Sequence, residues 1–483
     1  MDTPHTTSQR LNQDLCLAYI AKNLLALAPA NLSATTFGIE LEVLPFFCPA
    51  EKQKKPALRP QLLPFNQGKP NLFALLHELV QAQAWQLLLE EHSSAQRPLL
   101  GKIVTDHHDY FTCEPGGQLE FSSAPFVSFS AARLRLTAVQ RQLDQLFAAH
   151  HATLLQVGAN PWYSVEEIGL RFTKPRYLAM DAYFSRLSPL GRKMMRQTAS
   201  IQVSLDAGND EETMVERYLA SQLLSPFAAA LFANSPYIGG EKPSSIDGHR
   251  AHIWANFEAA RSGFPALTKI CNERSLAACQ QSYLDFLLAA PVIFISSLDF
   301  RVPTAPLTFA HWLREGYQGI MPSIEDFSVH CSLHFPEVRP RGTFLELRSV
   351  DCQARLWQLV PAAFFAGLLY DSKARQAILG RLLPFVDKLP QLHGAAAYGL
   401  QQAEIAEIAA FLMSQAEAGF SRLPANFRDP ETTQALQLFN KCFTAEGKTP
   451  GGALRQAVLA EGRDFPHLDT YRRIEEHWQD LFA

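Results

Sequence analysis

The sequence contains no C-x-x-C pair, no long apolar run and no marked excess of charge. Its eight cysteines (Cys16, Cys48, Cys113, Cys271, Cys279, Cys331, Cys352 and Cys442) are scattered through 483 residues. In a long chain that spacing indicates reduced thiols in the cytoplasm rather than a disulfide framework or a zinc site. No stretch of 18 or more apolar residues occurs, so no transmembrane helix is expected. The start, Met1-Asp2-Thr3-Pro4-His5, has no basic region followed by an apolar core, which argues against a secretory leader or an Arg-rich transit peptide. The formal net charge is −4, so there is no electrostatic case for binding nucleic acid or an anionic membrane. G-x-G-x-x-G, G-x-S-x-G and H-E-x-x-H are all missing. Gly447-Lys448-Thr449 echoes the end of a phosphate loop, but position 442 is Cys where the first glycine is needed, and no strand precedes it. His107 and His108, between Asp106 and Asp109, have no second histidine pair at helical spacing and read as a solvated loop.

What is present is a soluble composition, 47% apolar and 19% charged, and a recurring acidic strand pattern. In Cys113-Glu114-Pro115-Gly116-Gly117-Gln118-Leu119-Glu120-Phe121-Ser122, a tight turn feeds a short strand. Gln118, Glu120 and Ser122 face one way, Leu119 and Phe121 the other. Phe37–Val43 alternates in the same manner, with Glu40 and Glu42 on one face. So do Ser200–Asp206, with Ser200, Gln202, Ser204 and Asp206, and Phe344–Arg348, with Glu346 and Arg348. Any one of these could be an ordinary half-buried strand with a solvated outer face. On one sheet, however, Glu40, Glu42, Glu114, Glu120 and Glu346 converge. Such a cluster needs raised pKa values or bound cations, and all-oxygen ligands favour Mg²⁺ or Mn²⁺ over zinc.

Around these strands the signals are mixed. Residues 1–36 read as a helical arm with Leu15, Ile20, Leu24, Leu25 and Leu27 as its apolar positions. The proline-punctuated segment 45–70, which holds Lys52, Lys54 and Lys55, reads as a surface insertion. Asn71 caps a helix with Leu72, Leu75, Leu76, Leu79 and Val80 on its buried face. A second amphipathic helix covers 129–149, through Leu136, Val139, Leu143, Leu146 and Phe147. Further strands are expected at 153–158, 199–206, 291–296 and 343–349. A long helix stops at Asn234-Ser235-Pro236, and helices dominate beyond 353, including 354–384, 399–418 and 451–462. Strands with interspersed helices and a helical tail indicate α+β. The expected organisation is an arm at 1–36, a sheet-bearing catalytic region at 37–352 and a helical region at 353–483.

The segments FGIELE at 37–42, EPGGQLE at 114–120, KPRY at 174–177, MMRQTASIQVSLD at 194–206, LFANSPY at 231–237, HRAHIW at 249–254, FPEVRPRGTFLELRSVD at 335–351 and AFFAGLLYD at 363–371 carry a resemblance. In content and order they resemble the plant-type, or second, class of glutamate–cysteine ligases. The resemblance implies a glutamine-synthetase-like fold: a curved, mainly antiparallel sheet with a funnel-shaped active site, helices on its outer face and a helical C-terminal part. It also implies ATP-dependent ligation of the glutamate γ-carboxylate to the amine of cysteine, in glutathione biosynthesis, through γ-glutamyl phosphate. The chemistry needs Mg²⁺ or Mn²⁺ with ATP as co-substrate, because an anion must approach a polyanion.

By the same resemblance Glu40, Glu42, Glu114, Glu120, Gln202 and Glu346 match metal-holding positions. Arg250 and Arg348 are the expected catalytic cations on the phosphates or the acyl phosphate, and Arg176 and Tyr177 belong to the substrate and nucleotide site. His252, in HRAHIW, reads first as a satisfied core histidine and only second as a site residue. The chain departs from the family at Gln197, where Arg is usual, at Ser204, where Asn is usual, and at Cys352-Gln353, where glycines are usual. These departures touch the acceptor assignment more than the ligase assignment. The competing readings are the same chemistry with another amine acceptor, a catalytically silent nucleotide-binding relative, and a carboxylate kinase without an acceptor. Small-molecule substrates are the expected partners, in a monomer or homodimer.

Overall fold

Strand alternation organises the fold, because each acidic strand has an apolar edge to bury. The computed structural model describes residues 10–29, 35–48, 59–90 and 100–482. Its ten strands are β1 (Phe37–Phe47), β2 (Gln61–Leu62), β3 (Gln86–Leu89), β4 (Leu100–Val104), β5 (Tyr110–Cys113), β6 (Leu119–Ser122), β7 (Ala152–Leu155), β8 (Ser200–Asp206), β9 (Val338–Arg341) and β10 (Phe344–Asp351). They pair in the order β3-β4-β5-β6-β1-β8-β10-β9, with β2 and β7 on the far end of β1. Every pairing is antiparallel. The first half of β1 lies between β6 and β8, and its second half passes to β7 and β2.

Ile39, Leu41, Val43, Leu119, Phe121, Ile201, Val203, Leu205, Leu345 and Leu347 are all buried on the sheet's apolar face. Helices Phe129–Ala149, Glu211–Leu231 and Val360–Tyr370 join them in one core. Val360–Tyr370 is apolar on every side, which is tenable only for a fully enclosed helix, and Phe364, Phe365 and Leu368 have no solvent contact. Burying each such side chain stabilises the fold by roughly 1.5–3 kcal/mol. This helix crosses Ala403–Arg422 at two glycines. A Cβ on Gly367 would lie 2.3 Å from the Ala416 carbonyl, and one on Gly419 would lie 2.1 Å from the Gly367 carbonyl.

The arm is a helix at Gln13–Asn23, capped by Asn12, with Cys16, Ile20 and Leu25 buried. Leu27 is exposed, so the apolar stripe stops short of it. Past the helix the chain grips the β9–β10 turn: Gly342 N–H donates to Leu24 O at 2.9 Å, and Ala26 N–H donates to Gly342 O at 3.0 Å. The capped helix Leu72–Gln83 buries the five residues its spacing indicates. In the 129–149 helix Leu146 is only partly buried.

Three expectations need correction. β1 continues through Pro45 to Phe47, into the segment expected to be a surface insertion, because Pro45 lies opposite Leu154 in the β7 ladder. The strand expected at 153–158 is β7, four residues long. The apolar run 291–296 is not a sheet strand; it makes only single bridges, Pro291 to Thr308 and Ile295 to Arg301, and turns into a short 3₁₀ helix. Lys52, Lys54 and Lys55 lie outside the described residues. Among the described residues no helix is long and apolar enough to cross a membrane.

Gly419→Ala is expected to destabilise the protein by about 1–3 kcal/mol, because the crossing backbones must separate. Urea unfolding checks this against Gly380→Ala, whose added Cβ would meet nothing.

Candidate active site

The sheet's polar face forms one wall of a cavity of about 390 Å³. β1 contributes Glu40 and Glu42, β6 contributes Glu120, the β5–β6 turn contributes Glu114, and β8 contributes Ser200 and Gln202. Register brings them together: Glu42 lies directly opposite Glu120, and Glu40 directly opposite Gln202. Glu114 is placed by its turn. Gly117 N–H donates to Glu114 O at 2.8 Å, and Gly117 has φ +89°. Gly116 presses on the helix Pro189–Gln197, since a Cβ there would lie 2.2 Å from the Arg196 carbonyl. Gln118 Nε2 then donates to Thr198 O at 2.8 Å.

Like charges directly opposite on a sheet repel, and the pKa values record it. Burial, followed by Glu346 and Glu120, pushes Glu40 up to about 8. Burial, followed by Glu120, pushes Glu42 up to about 7. Glu114 is raised well above the usual range by burial, then by Glu120 and Glu42. Hydrogen bonds offset only part of this. Glu42 accepts from Ser200 N–H at 2.7 Å and Gln202 Nε2 at 3.1 Å, and Glu120 accepts from Thr112 Oγ1 at 2.9 Å. These half-buried carboxylates are hard oxygen donors in the charge state a divalent cation would relieve. Among the described residues no three His, Cys, Asp or Glu side chains are already drawn into a ligand cluster.

The rest of the lining is rich in basic groups, three of them on β9 and β10 of the same sheet. Arg348, Arg339, Arg341, Arg176 and Lys174 line the cavity. Arg176 and Tyr177 open the helix Pro175–Leu187, and Arg176 is fixed by Ser332 through Oγ at 3.0 Å and the carbonyl at 2.9 Å. Arg348 Nη1 donates to both Gln202 Oε1 and Glu346 Oε1.

Glu346 and Arg250 do not line the cavity. Glu346 is 1% exposed and is gripped by Arg339 at 2.7 Å, Arg341 at 3.5 Å, and Arg348. Burial works against its charge, but Arg339, Arg348 and Arg341 pull it down to about 2. Its lone pairs go to guanidiniums because β9 sets Arg339 directly opposite it. Arg250 lies behind the wall. Its Nη2 donates to Arg348 O at 2.6 Å, and its guanidinium lies 4.3 Å from the Trp254 ring centroid. His252 also lies outside the cavity lining.

Arg339 and Arg341 are the groups that strand reading missed. They flank Pro340 at a spacing of two, the same signal as Glu346 and Arg348, but a four-residue strand containing proline is weak by propensity. The apolar end of the cavity, from Met180, Met194, Met195, Trp254 and Phe335, carried no sequence signal beyond helix packing. The departure at Gln197 does not face the cavity; its Nε2 clips Tyr163 O at 2.8 Å and Gly239 O at 2.9 Å. Ser204 sits opposite Glu346, and Cys352 and Gln353 are buried in the core.

The profile of glutamate-cysteine ligase family 2 matches residues 78–465. A chloroplastic glutamate–cysteine ligase from Arabidopsis thaliana is 32% identical over 271 residues, covering 55% of this chain and 50% of that protein. One from Brassica juncea is 31% identical over 310 residues, covering 63% and 57%. The chain thus spans about half the length of the curated relatives it matches. In fold it is similar to a glutamate–cysteine ligase from Francisella tularensis crystallised with AMP, with a TM-score of 0.51, 12% identity, and coverage of 92% and 89% of the two chains.

The raised carboxyls carry a pH signature. A carboxyl whose folded pKa exceeds its unfolded value costs nothing below the unfolded value. The cost grows as pH rises, and it is complete above the folded pKa. For Glu40 that window runs from 4.5 to about 8. Glu40→Gln is therefore expected to raise the melting temperature at pH 8.5 without divalent cation, and to change it little at pH 4.5.

Proposed function

The chain belongs to glutamate-cysteine ligase family 2, and from that premise we propose that it joins the γ-carboxylate of L-glutamate to the amine of L-cysteine. ATP is converted to ADP and phosphate, and the product is γ-glutamylcysteine, a precursor in glutathione biosynthesis. One observation carries the reading: four carboxylates and five cations line a single cavity. Few reactions need both charges at such density. Attack of a carboxylate on the γ-phosphate of ATP does, because nucleophile and electrophile are both anionic.

Glu40, Glu42, Glu114 and Glu120, with Gln202 as a neutral oxygen donor, are the groups suited to Mg²⁺ or Mn²⁺. When bound, the cation would neutralise phosphate charge and orient the terminal phosphoryl group. Glu346, which the resemblance matches to a metal-holding position, is bonded to three guanidiniums. It anchors Arg339, Arg341 and Arg348 as a fixed positive wall, and that wall supplies charge where the phosphoryl group and then the acyl phosphate develop theirs. Arg348 is the catalytic cation of the set. Arg250 positions it from behind through the Arg348 carbonyl. Arg176 and Tyr177 stand across from the acids on the substrate side. Phosphorylation turns a carboxylate oxygen into a leaving group, and the amine then displaces phosphate. All eight cysteines are free thiols, which supports a reducing compartment such as the cytoplasm.

Incubation with L-glutamate, ATP, Mg²⁺ and a panel of amines, following ADP release, tests the reading. L-Cysteine is expected to give the highest kcat/KM. Far faster turnover of another amine would reassign the acceptor, and phosphate release unaffected by any amine would leave only a carboxylate kinase. Glu120→Gln is expected to lower kcat by about 100-fold or more, as for loss of a group acting on transition-state charge. Equal low rates in wild type and variant would sink the ligase reading. Arg339→Met is expected to lower kcat by about tenfold or more while the protein stays folded.

A further inference from the structure

β10 does not run regularly past its neighbour. Leu347 pairs with Val203 and Val350 with Ile201, so Arg348 and Ser349 together lie opposite the single residue Gln202. That is a β-bulge, which breaks the ladder, bends the strand and re-aims a side chain. The side chain it re-aims is Arg348, which lines the cavity and whose Nη1 donates to Gln202 Oε1 and Glu346 Oε1. A bulge also strips backbone groups of their ladder partners, and in a buried strand these must be satisfied elsewhere. The amide of Arg348 donates to Glu337 O at 2.8 Å, and its carbonyl accepts from Arg250 Nη2 at 2.6 Å.

Arg250 holds the far side of the bulge as well. Its backbone N–H donates to Ser235 Oγ at 3.1 Å, and Ser235 Oγ donates to Asp351 Oδ2 at 2.6 Å. Asp351 ends β10 and packs directly on the Gly158 backbone, where a Cβ would lie 2.3 Å from the Asp351 Cγ. One residue thus brackets the bulge, before it at Arg348 and after it at Asp351.

A guanidinium as deeply buried as that of Arg250 needs counter-charge. Asp351 and Glu337 both lie in its field. Glu337, immediately before β9, is itself buried; its Oε1 accepts from His393 Nε2 at 2.7 Å, and its Oε2 has no hydrogen-bond partner. Burial opposes the charge of Glu337, but His393, Arg250 and Arg348 hold it below the usual carboxylate range. His393 comes from the helix Leu389–Ala395, where its ring meets Phe264 edge-on with centroids 5.4 Å apart. Neither Glu337 nor His393 lines the cavity.

We propose that Glu337, held by His393, is a positioning residue for the ligase reaction: it neutralises Arg250 behind the lining, and so keeps the bulge in place and Arg348 aimed into the cavity. The inference rests on the reading of Arg348 as the cation that meets the phosphoryl group.

Glu337→Gln keeps the size of the side chain and its bond to His393 and removes the charge. It is expected to lower kcat for ADP release by about tenfold or more, with KM for ATP and for glutamate changed by less than about twofold. In the Arg348→Met background it is expected to cause no further loss, because effects that act through one group do not add. His393→Phe keeps a ring against Phe264 and removes the hydrogen bond. It is expected to lower kcat in the same non-additive way, and it carries the test should Glu337→Gln not fold. Glu216→Gln, which breaks a buried pair with Arg375 at 2.9 Å, is the comparison: it is expected to lower the melting temperature and leave kcat unchanged. Unchanged kcat, a loss confined to KM, or full additivity with Arg348→Met overturns the proposal. The Nε–Hε resonance of Arg348 in arginine-labelled protein, assigned by its disappearance in Arg348→Met, gives a readout without turnover. Glu337→Gln is expected to shift it and to speed its exchange with solvent, and a resonance that does not respond also overturns the proposal. If the wild type releases no ADP, the ligase reading fails, and this resonance still decides whether Glu337 holds Arg348.

Discussion

Crowding of like charge on a half-buried sheet face is the constraint around which the molecule is arranged. Glu42 and Glu120 are cross-strand neighbours, and Glu40 and Glu114 complete the group. Left alone the arrangement is unfavourable: burial first, and then the neighbouring carboxylates, push Glu40, Glu42 and Glu114 upward. The fold tolerates it because the same strands bury a continuous apolar face, with Ile39, Leu41, Phe121, Ile201 and Leu347 almost wholly enclosed. Stability comes from one side of the sheet and the charged cavity lies on the other, and alternation along the strand keeps the two apart.

The positive part of the lining is built differently. Its arginines come from a β-hairpin, β9–β10, at the sheet's edge, and Glu346 serves them as a common counter-ion. A guanidinium held on a buried carboxylate keeps its direction without needing a substrate to order it, which is what preorganised electrostatics requires. Arg250, packed on Trp254 and bonded to the Arg348 backbone, fixes the strand from behind. The tight turn before β6 does the same for the acids, with Gly116 so close to the Arg196 carbonyl that no side chain fits.

The parts of this legible in sequence were those encoded locally. Period-two alternation located β1, β6, β8 and β10 and set Glu40, Glu42, Glu120 and Gln202 on one face, because that face is decided by adjacent residues. Helix Leu72–Gln83 was equally legible, from its cap and its spacing. What escaped was decided by partners distant in sequence. Glu346 carries the same signal as Glu40, yet its environment is fixed by β9, which brings Arg339 opposite it. Arg250 opens a buried helix, and nothing in HRAHIW reveals which side of the cavity wall that helix occupies. The run 291–296 has the composition of a strand but no ladder beside it. The family resemblance supplied the chemistry; the structure sorted its residues into those that meet the cavity and those that stand behind it.

The hydrogen bonds between Gly342 and the Leu24–Ala26 segment have a consequence for the sheet's margin. β9 ends the strand order, and a bare outer strand invites pairing with another chain. Pro340 removes one amide from that rim, and the N-terminal segment fastens the hairpin tip. The first helix is thus a clasp as well as an appendage: it holds still the ribbon whose two strands carry the guanidinium groups, and it discourages that ribbon from seeking company elsewhere.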